Sequence, residues 1–242
     1  MQTVTASTSN VTLTFSYSSW LRSPSSPFPL FHGVTTQPAW RISLALCCAS
    51  CVASLGCSRG PSRVHPPRID PAQAGSAAIE QYDADGDGEL SREELGKVPG
   101  ILGVMGQYDL DGNSKVSAEE ISSRLRQWED SNIGIMSAGC RVTLDGAGLE
   151  GAVVKLIPEE FLGEYVKPAS GTTKAGGGAA LSIDPDDLPS DQQMVRGVQR
   201  GIYKIEVTHP SKSIPPQYNL QTTLGQEIVP GVVKIVIPLT SR

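Results

Sequence analysis

Two similar acidic segments constrain the fold of this chain more than any other feature. Residues 82–95 read YDADGDGELSREEL, and residues 108–121 read YDLDGNSKVSAEEI. Both place acidic or amide side chains at alternate positions and end in Glu-Glu before an aliphatic residue. Residues 76–131 hold 13 acidic and 5 basic residues, a net charge of −8, against −5 for all 242 residues. The acidity of the chain is therefore concentrated in this repeat.

The spacing within the first segment suits a cage of oxygen ligands around a hard cation. Short carboxylates at alternate positions can converge on one ion, and Gly88 at position 6 permits a left-handed turn. A glutamate at position 12 reaches back from the next helix as a bidentate ligand, as in an EF-hand loop, whose geometry suits Ca²⁺. The predicted Ca²⁺ ligands are Asp83, Asp85, Asp87, Glu89 through its carbonyl, Ser91 directly or through water, and Glu94.

The second segment follows the same spacing but departs from it at position 6, where Ser114 replaces glycine. A non-glycine residue in the left-handed region costs roughly 1 kcal/mol. The predicted ligands here are Asp109, Asp111, Asn113, Lys115 through its carbonyl, Ser117 and Glu120. With three side-chain carboxylates against four in the first loop, this site is predicted to bind more weakly. The alternative is a degenerate loop that pairs with the first without holding an ion.

Residues 76–131 are thus predicted to form a compact pair of EF hands. Leu90 and Val116, at position 8 of each loop, are expected to pair the two loops, and short helices are expected at 76–82, 91–97, 101–108 and 117–130. In the last of these, Ile121, Leu125 and Trp128 recur at helical spacing, which is typical of a core face. A dockerin-type module also uses paired loops, but it normally ends each loop with Asp, where Glu stands here.

From residue 136 onward the pattern changes to short β-branched runs separated by Gly, Pro and Asp. Such runs occur at 135–144, 152–157, 179–183, 201–207 and 232–237. This spacing predicts an all-β region of roughly seven strands in two antiparallel sheets. The fold class predicted for the whole chain is therefore α+β with segregated domains, a small helical pair followed by an all-β antiparallel sandwich of the immunoglobulin-like kind.

Three segments of this region resemble the carboxypeptidase-regulatory-like, or transthyretin-like, β-sandwich: VTLDGAGLEGAVVKLIPE, GTTKAGGGAALSI and RGVQRGIYKIEVTHP. The family hairpin is matched at Val142, Gly146, Leu149, Gly151, Ala152 and Val154. Gly148, Lys174 and Ile205 stand where the family more often has Pro, Asp and Val. The resemblance covers residues 136–242 and implies a non-catalytic accessory or interaction module.

The composition argues against an enzyme and against a nucleic-acid-binding protein. No Ser-His or Cys-His constellation accompanies the acidic loops, and the net negative charge disfavours contact with phosphates. A carbohydrate-binding adhesion module would need accessible aromatic side chains. Only 5% of the chain is aromatic, and ordinary packing is expected for Phe161, Tyr165, Tyr203 and Tyr218.

The N-terminal part is typical of an exported bacterial protein. Residues 1–40 are rich in Ser, Thr and Pro and show no helical or strand period. They are expected to be disordered, or to lie upstream of the true translation start near Leu30 or Val34, which peptides from residues 1–22 in the expressed protein would refute. Arg41 then precedes fifteen apolar or small residues, ISLALCCASCVASLG, the length of a signal-peptide core.

The signal segment, residues 41–57, ends in Ser-Leu-Gly-Cys, which resembles a lipobox with Cys57 as the lipidated residue. An ordinary signal-peptidase cleavage near residues 53–56 is the alternative. Residues 58–75 read as a Pro-rich tether. Four of the five cysteines lie in or at the end of the signal segment, and Cys140 is expected to be a buried thiol rather than a partner of Cys57.

The sequence thus predicts an exported, lipid-anchored Ca²⁺-binding envelope protein that faces the periplasm or cell surface, with envelope proteins or polysaccharide as possible partners. A dockerin-like or carbohydrate-binding adhesion module is the alternative.

Overall fold

The computed structural model describes residues 64–129, 131–231 and 234–241. The predictions for residues 1–40, for the signal segment with Cys57, and for the start of the tether lie outside these ranges. Residues 58–242 form one compact unit, called here the 58–242 unit. Within it, a helical region over residues 71–129 precedes a β-sandwich over residues 138–239. This arrangement confirms the predicted fold class.

The helical region contains three α-helices, two short 3₁₀ turns and one two-stranded ladder. The helices are α1 (Pro71–Tyr82), α2 (Pro99–Leu102) and α3 (Ala118–Glu129). The 3₁₀ turns span Glu94–Lys97 and Met105–Gln107. The ladder joins β1 (Glu89–Leu90) to β2 (Val116–Ser117) in antiparallel register.

Helix α1 begins five residues before the expected start of the helical pair at Ser76. The Asp70 side chain accepts hydrogen bonds from the backbone N–H groups of Ala72 and Gln73, at 3.0 and 3.1 Å, and Pro71 occupies the first helical position. An acidic N-cap followed by proline is a helix-start signal. The last residues of the predicted tether are therefore helical.

The helices expected at 91–97 and 101–108 are shorter than predicted: Pro99 disfavours a helical conformation at Val98, and the backbone at Gly100 packs against the β-sandwich. A Cβ atom on Gly100 would lie 2.6 Å from Ile202 Cγ2, and one on Gly225 would lie 2.3 Å from the Gly100 nitrogen. Helix α2 therefore lies directly on residues 202–203 and 225–226 of the sandwich, with no room for a side chain on Gly100 or Gly225.

The β-sandwich is built from eight strands, seven of which follow one continuous hydrogen-bonded path. They are β3 (Ala138–Leu144), β4 (Ala147–Gly148), β5 (Val153–Pro158), β6 (Ala169–Thr172), β7 (Gly178–Ile183), β8 (Gly201–Thr208), β9 (Gly225–Ile228) and β10 (Lys234–Leu239). The order is β10-β3-β7-β6-β5-β8-β9, and β4 pairs with β3.

Strand β7 links the two halves of the sandwich. Its residues 178–181 pair with β3, whereas Ser182 and Ile183 pair with β6. All strand pairs are antiparallel except β10 with β3, which is parallel along its full length. The sequence did not predict this pair, since runs of hydrophobic residues do not encode strand direction.

Buried hydrophobic residues of the helical region and the sandwich belong to a single core. Ile121, Leu125 and Trp128 lie in it, as predicted from their spacing. Cys140 is a buried free thiol, also as predicted. The expectation of ordinary packing holds for Phe161, Tyr203 and Tyr218 and is wrong for Tyr165, which is 59% exposed.

Tyr165 is exposed because it lies on a turn rather than a strand. Gly163, with φ of 74°, turns the chain after a 3₁₀ segment at 160–162, and the tyrosine stands just beyond it, before β6 begins. In the described ranges, no helix is long and apolar enough to span a bilayer.

We predict that Gly225→Ala destabilises the 58–242 unit by about 1–3 kcal/mol, since its Cβ would collide with the backbone of Pro99 and Gly100. Urea denaturation measures this loss. Gly178→Ala is the matched control, because it is also a strand glycine but has nothing within 4 Å of the added carbon. Equal free energies of unfolding for the two variants would contradict the close contact between α2 and β9.

Candidate metal centre

The first acidic loop gathers three carboxylates at one point. Carboxylate oxygens of Asp83, Asp85 and Asp87 all lie within 4.8 Å of one another. Backbone hydrogen bonds hold this arrangement: Asp83 accepts from the N–H of Gly86 at 2.7 Å and from that of Gly88 at 2.8 Å. Repulsion among three carboxylates at this spacing favours a cation between them.

The second loop repeats the turn hydrogen bonds of the first, although a different set of carboxylates converges in it. Carboxylate oxygens of Asp109, Asp111 and Glu120 lie within 4.8 Å of one another. Asp109 accepts from the N–H of Gly112 at 2.7 Å and from that of Ser114 at 3.0 Å, the same two bonds that Asp83 makes in the first loop. The loss of glycine at position 6 has therefore not changed the path of the loop.

Position 6 is left-handed in both loops, with φ of 88° at Gly88 and 66° at Ser114. The expectation of backbone strain at Ser114 is thus confirmed. Position 4 is left-handed as well, through Gly86 and Gly112. The glycine at position 4 of both repeats is the sequence signal for this turn, and it was not part of the predicted ligand pattern.

The glutamate at position 12 of each loop folds back onto its own loop. Glu94 accepts from the N–H and the hydroxyl of Ser91, both at 2.8 Å, and from the N–H of Ala84 at 2.6 Å. Hydrogen bonding from the Ser91 backbone, above all, lowers the pKa of Glu94 to about 2. Glu120 makes the equivalent bonds with Ser117. Glu94 is therefore fully ionised at neutral pH, while both serine hydroxyls are engaged with the glutamates.

The two loops are joined through their eighth positions, as the sequence predicted. Leu90 pairs with Val116 in the ladder, and both side chains are fully buried. Glu89 pairs with Ser117 in the same ladder. Of the carbonyl groups predicted as ligands at position 7, that of Glu89 lies in the ladder and that of Lys115 directly precedes it.

Polar side chains add a second connection between the loops. The Lys115 ammonium forms an ion pair with Asp87, a predicted ligand of the first loop, and this hydrogen bond lowers the pKa of the Asp87 carboxyl. Asn113 donates through Nδ2 to Glu89 Oε1 at 3.0 Å. Lys115 thus belongs to both loops, because its carbonyl is a predicted ligand of the second while its side chain lies on the first.

Beneath the second loop, four side chains meet in what we call the second clasp. Glu227 of β9 is only 2% exposed and accepts from the Tyr108 hydroxyl at 3.0 Å. Arg124 donates to it through Nε and Nη2, both at 2.8 Å, and Trp128 donates through Nε1 at 3.2 Å. Burial, reinforced by the charge of Glu227, raises the pKa of Tyr108, so its hydroxyl remains a donor.

A related arrangement beneath the first loop is called here the first clasp. Tyr82 donates its hydroxyl to Glu159 Oε2 at 2.8 Å, and the Lys204 ammonium lies 3.2 Å from the same oxygen. Glu159 is 1% exposed, and its other oxygen, Oε1, has no hydrogen-bond partner among the described residues. Burial raises the pKa of Tyr82, so this hydroxyl also remains protonated.

Neither clasp was predicted from the sequence. Tyr82 and Tyr108 both stand one residue before position 1 of a loop, so the repeat marks the two tyrosines as equivalent residues. Glu159 and Glu227 lie 77 and 119 residues from their tyrosines, and nothing in their local sequence marks them as partners.

Comparison with known proteins agrees with this geometry. Residues 77–99 match the family model described as EF hand. The matched stretch contains the whole first loop, and the acidic groups at residues 83–87 are consistent with Ca²⁺ binding. No curated protein matches the chain.

We expect Ser114→Gly to raise the free energy of unfolding of the ion-free protein by up to about 1 kcal/mol, because it removes a left-handed non-glycine residue. Gly88→Ser should lower it by a similar amount, since the added Cβ meets nothing within 4 Å and the backbone strain acts alone. Urea denaturation in chelator measures both. Changes of the same sign would contradict the equivalence of the two loops.

Proposed function

We propose that this chain is a Ca²⁺-binding protein of the bacterial cell envelope, with its main ion site in the loop from Asp83 to Glu94. The observation that carries the proposal is the convergence of Asp83, Asp85 and Asp87 within a stretch that matches the EF hand. The ionised Glu94 lies against the same loop through its bond to Ala84. These four carboxylates would hold the ion together with the Glu89 carbonyl.

The chemistry of this donor set favours Ca²⁺. All of the predicted ligands are oxygens, and they come from a flexible twelve-residue loop, which suits the six to eight ligands of Ca²⁺ better than the rigid octahedron of Mg²⁺. The loop is also mostly exposed, so an ion can enter from solvent. The second loop would bind more weakly, because Asn113 supplies no charge and Ser114 strains the turn.

The proposed role of the β-sandwich is that of a non-catalytic accessory module similar to carboxypeptidase-regulatory-like domains. The fold and the Asp145-Gly146 turn after β3 support this similarity. His209 supports a structural role for its loop, since its Nδ1 accepts from the N–H groups of Ser211 and Lys212, at 3.1 and 3.0 Å. Its other ring nitrogen, Nε2, lies 2.8 Å from the Glu150 carbonyl, so both ring nitrogens are hydrogen-bonded to backbone groups.

Export and a lipid anchor at Cys57 complete the proposal, and their support is the signal-like segment 41–57. Extracellular modules commonly bind Ca²⁺ with dissociation constants on the order of 10⁻⁴ to 10⁻³ M. This range suits a protein with one complete and one weakened set of loop ligands. The alternative of a carbohydrate-binding module gains less support, because Tyr165 is the one exposed aromatic side chain among the described residues.

Isothermal titration of the 58–242 unit with Ca²⁺ tests the proposal. We expect heat of binding at millimolar Ca²⁺, and we expect Glu94→Gln to weaken the first site by about tenfold or more, since it removes the bidentate charge. Glu93→Gln is the matched control, because that neighbouring glutamate is exposed and lies outside the ligand positions. Absence of heat, or equal effects of the two substitutions, would overturn the calcium site.

A further inference from the structure

We propose that the β-sandwich contributes to Ca²⁺ affinity. Its residues Glu159 and Glu227 act as positioning residues that hold the two loops in their ion-binding conformation. This inference rests on the proposed function and extends it. It assigns to the sandwich a role in setting the affinity of loops that lie in a different part of the sequence. The supporting observations are the two clasps.

Each clasp acts on the chain immediately before the first ligand of a loop. Tyr82 is the last residue of α1, and the next N–H, that of Asp83, closes the helix on the Ile79 carbonyl at 2.9 Å. Tyr108 precedes Asp109, whose N–H bonds to the Met105 carbonyl at the same distance. Fixing either phenol to a buried carboxylate therefore fixes the direction in which the loop begins.

The second clasp holds the second loop from both sides. Tyr108 enters the loop, while Arg124 and Trp128 lie on α3, the helix that leaves it. All three donate to the single carboxylate of Glu227. One fixed group on β9 thus sets the distance between the segments on which the loop starts and ends.

Burial makes these contacts strong enough to matter for ion binding. A carboxylate held away from water needs its donors, because leaving a buried charge without them costs more than an ordinary hydrogen bond contributes. When the donors of the glutamate are held in place, the loop is already restricted before the ion binds. Ion binding then costs less conformational entropy. Reducing that loss of freedom raises affinity without any new contact to the ion.

The two clasps are unequal, and the stronger one supports the weaker loop. Glu227 receives four donated bonds from three side chains, and Glu159 has a single engaged oxygen and one without a partner among the described residues. The loop above Glu227 is the one with Ser114 and Asn113. We therefore infer that the second clasp compensates for the poorer ligand set of the second loop.

The test separates the loops by disabling one ligand set at a time. In the 58–242 unit, Glu94→Gln leaves the second loop as the main site, and Glu120→Gln leaves the first. Tyr108→Phe removes one hydroxyl without removing packing, and in the Glu94→Gln background it should weaken Ca²⁺ binding about three- to tenfold. Tyr82→Phe should have an effect of the same kind in the Glu120→Gln background, and neither should act strongly on the other loop.

A matched control distinguishes positioning of the loops from general stability. Tyr203 is fully buried and donates its hydroxyl to the Gln199 carbonyl at 2.9 Å, a group of the sandwich that belongs to neither clasp. Tyr203→Phe removes a buried hydroxyl without touching a clasp, so Ca²⁺ affinity should stay unchanged. Calorimetric titration well below the unfolding temperature of every variant measures the affinities.

Each outcome decides one part of the inference. If the parent unit binds no Ca²⁺, the proposed function fails. If the parent binds but the clasp variants match Tyr203→Phe, the sandwich plays no part in the site and this inference alone fails. If the Glu94→Gln protein binds no Ca²⁺, compensation by the second clasp is refuted, and Tyr82→Phe still decides the first. A selective loss at each loop supports the inference.

Discussion

The rest of the structure depends on the need of two buried carboxylates for hydrogen-bond donors. Glu159 and Glu227 are almost completely removed from water, and an ionised group in such a place is costly unless donors surround it. In both cases the β-sandwich supplies the carboxylate and the helical region supplies a tyrosine hydroxyl. Separation of the two parts would remove these donors from Glu227 and leave Glu159 with Lys204 alone.

This requirement explains why the helical region and the sandwich share one core although their secondary structures are segregated. The backbones of Gly100 and Gly225 are in contact, and this contact brings α2 onto β9, the strand that also carries Glu227. Most residues of the acidic loops are exposed, so solvent can reach them.

The sequence was sufficient for features that depend on local spacing. The turns of both loops, the pairing of Leu90 with Val116 and the five most hydrophobic strands all follow from residue types at fixed intervals. The strain at Ser114 was predictable for the same reason. In each of these cases the signal is the spacing of residue types within one short segment or its repeat.

Features that depend on distant partners could not be predicted in this way. The parallel direction of β10, the exposure of Tyr165 and the partners of both buried glutamates are set by tertiary packing. Asp70 and Pro71 are a different case, because their helix-start signal was present but was interpreted as part of a Pro-rich tether. The tyrosine before each loop is visible in the repeat. Its role depends on a buried glutamate of the sandwich that the local sequence does not mark.

Hydrogen exchange of the 58–242 unit with and without Ca²⁺ tests the central claim most directly, namely that ion loops and sandwich act as one unit. We predict slower amide exchange on adding Ca²⁺ in residues 82–120 and also in β8 and β9, which carry Lys204 and Glu227 beneath the loops. Protection that stops at the loops and leaves β8 and β9 unchanged would contradict the account.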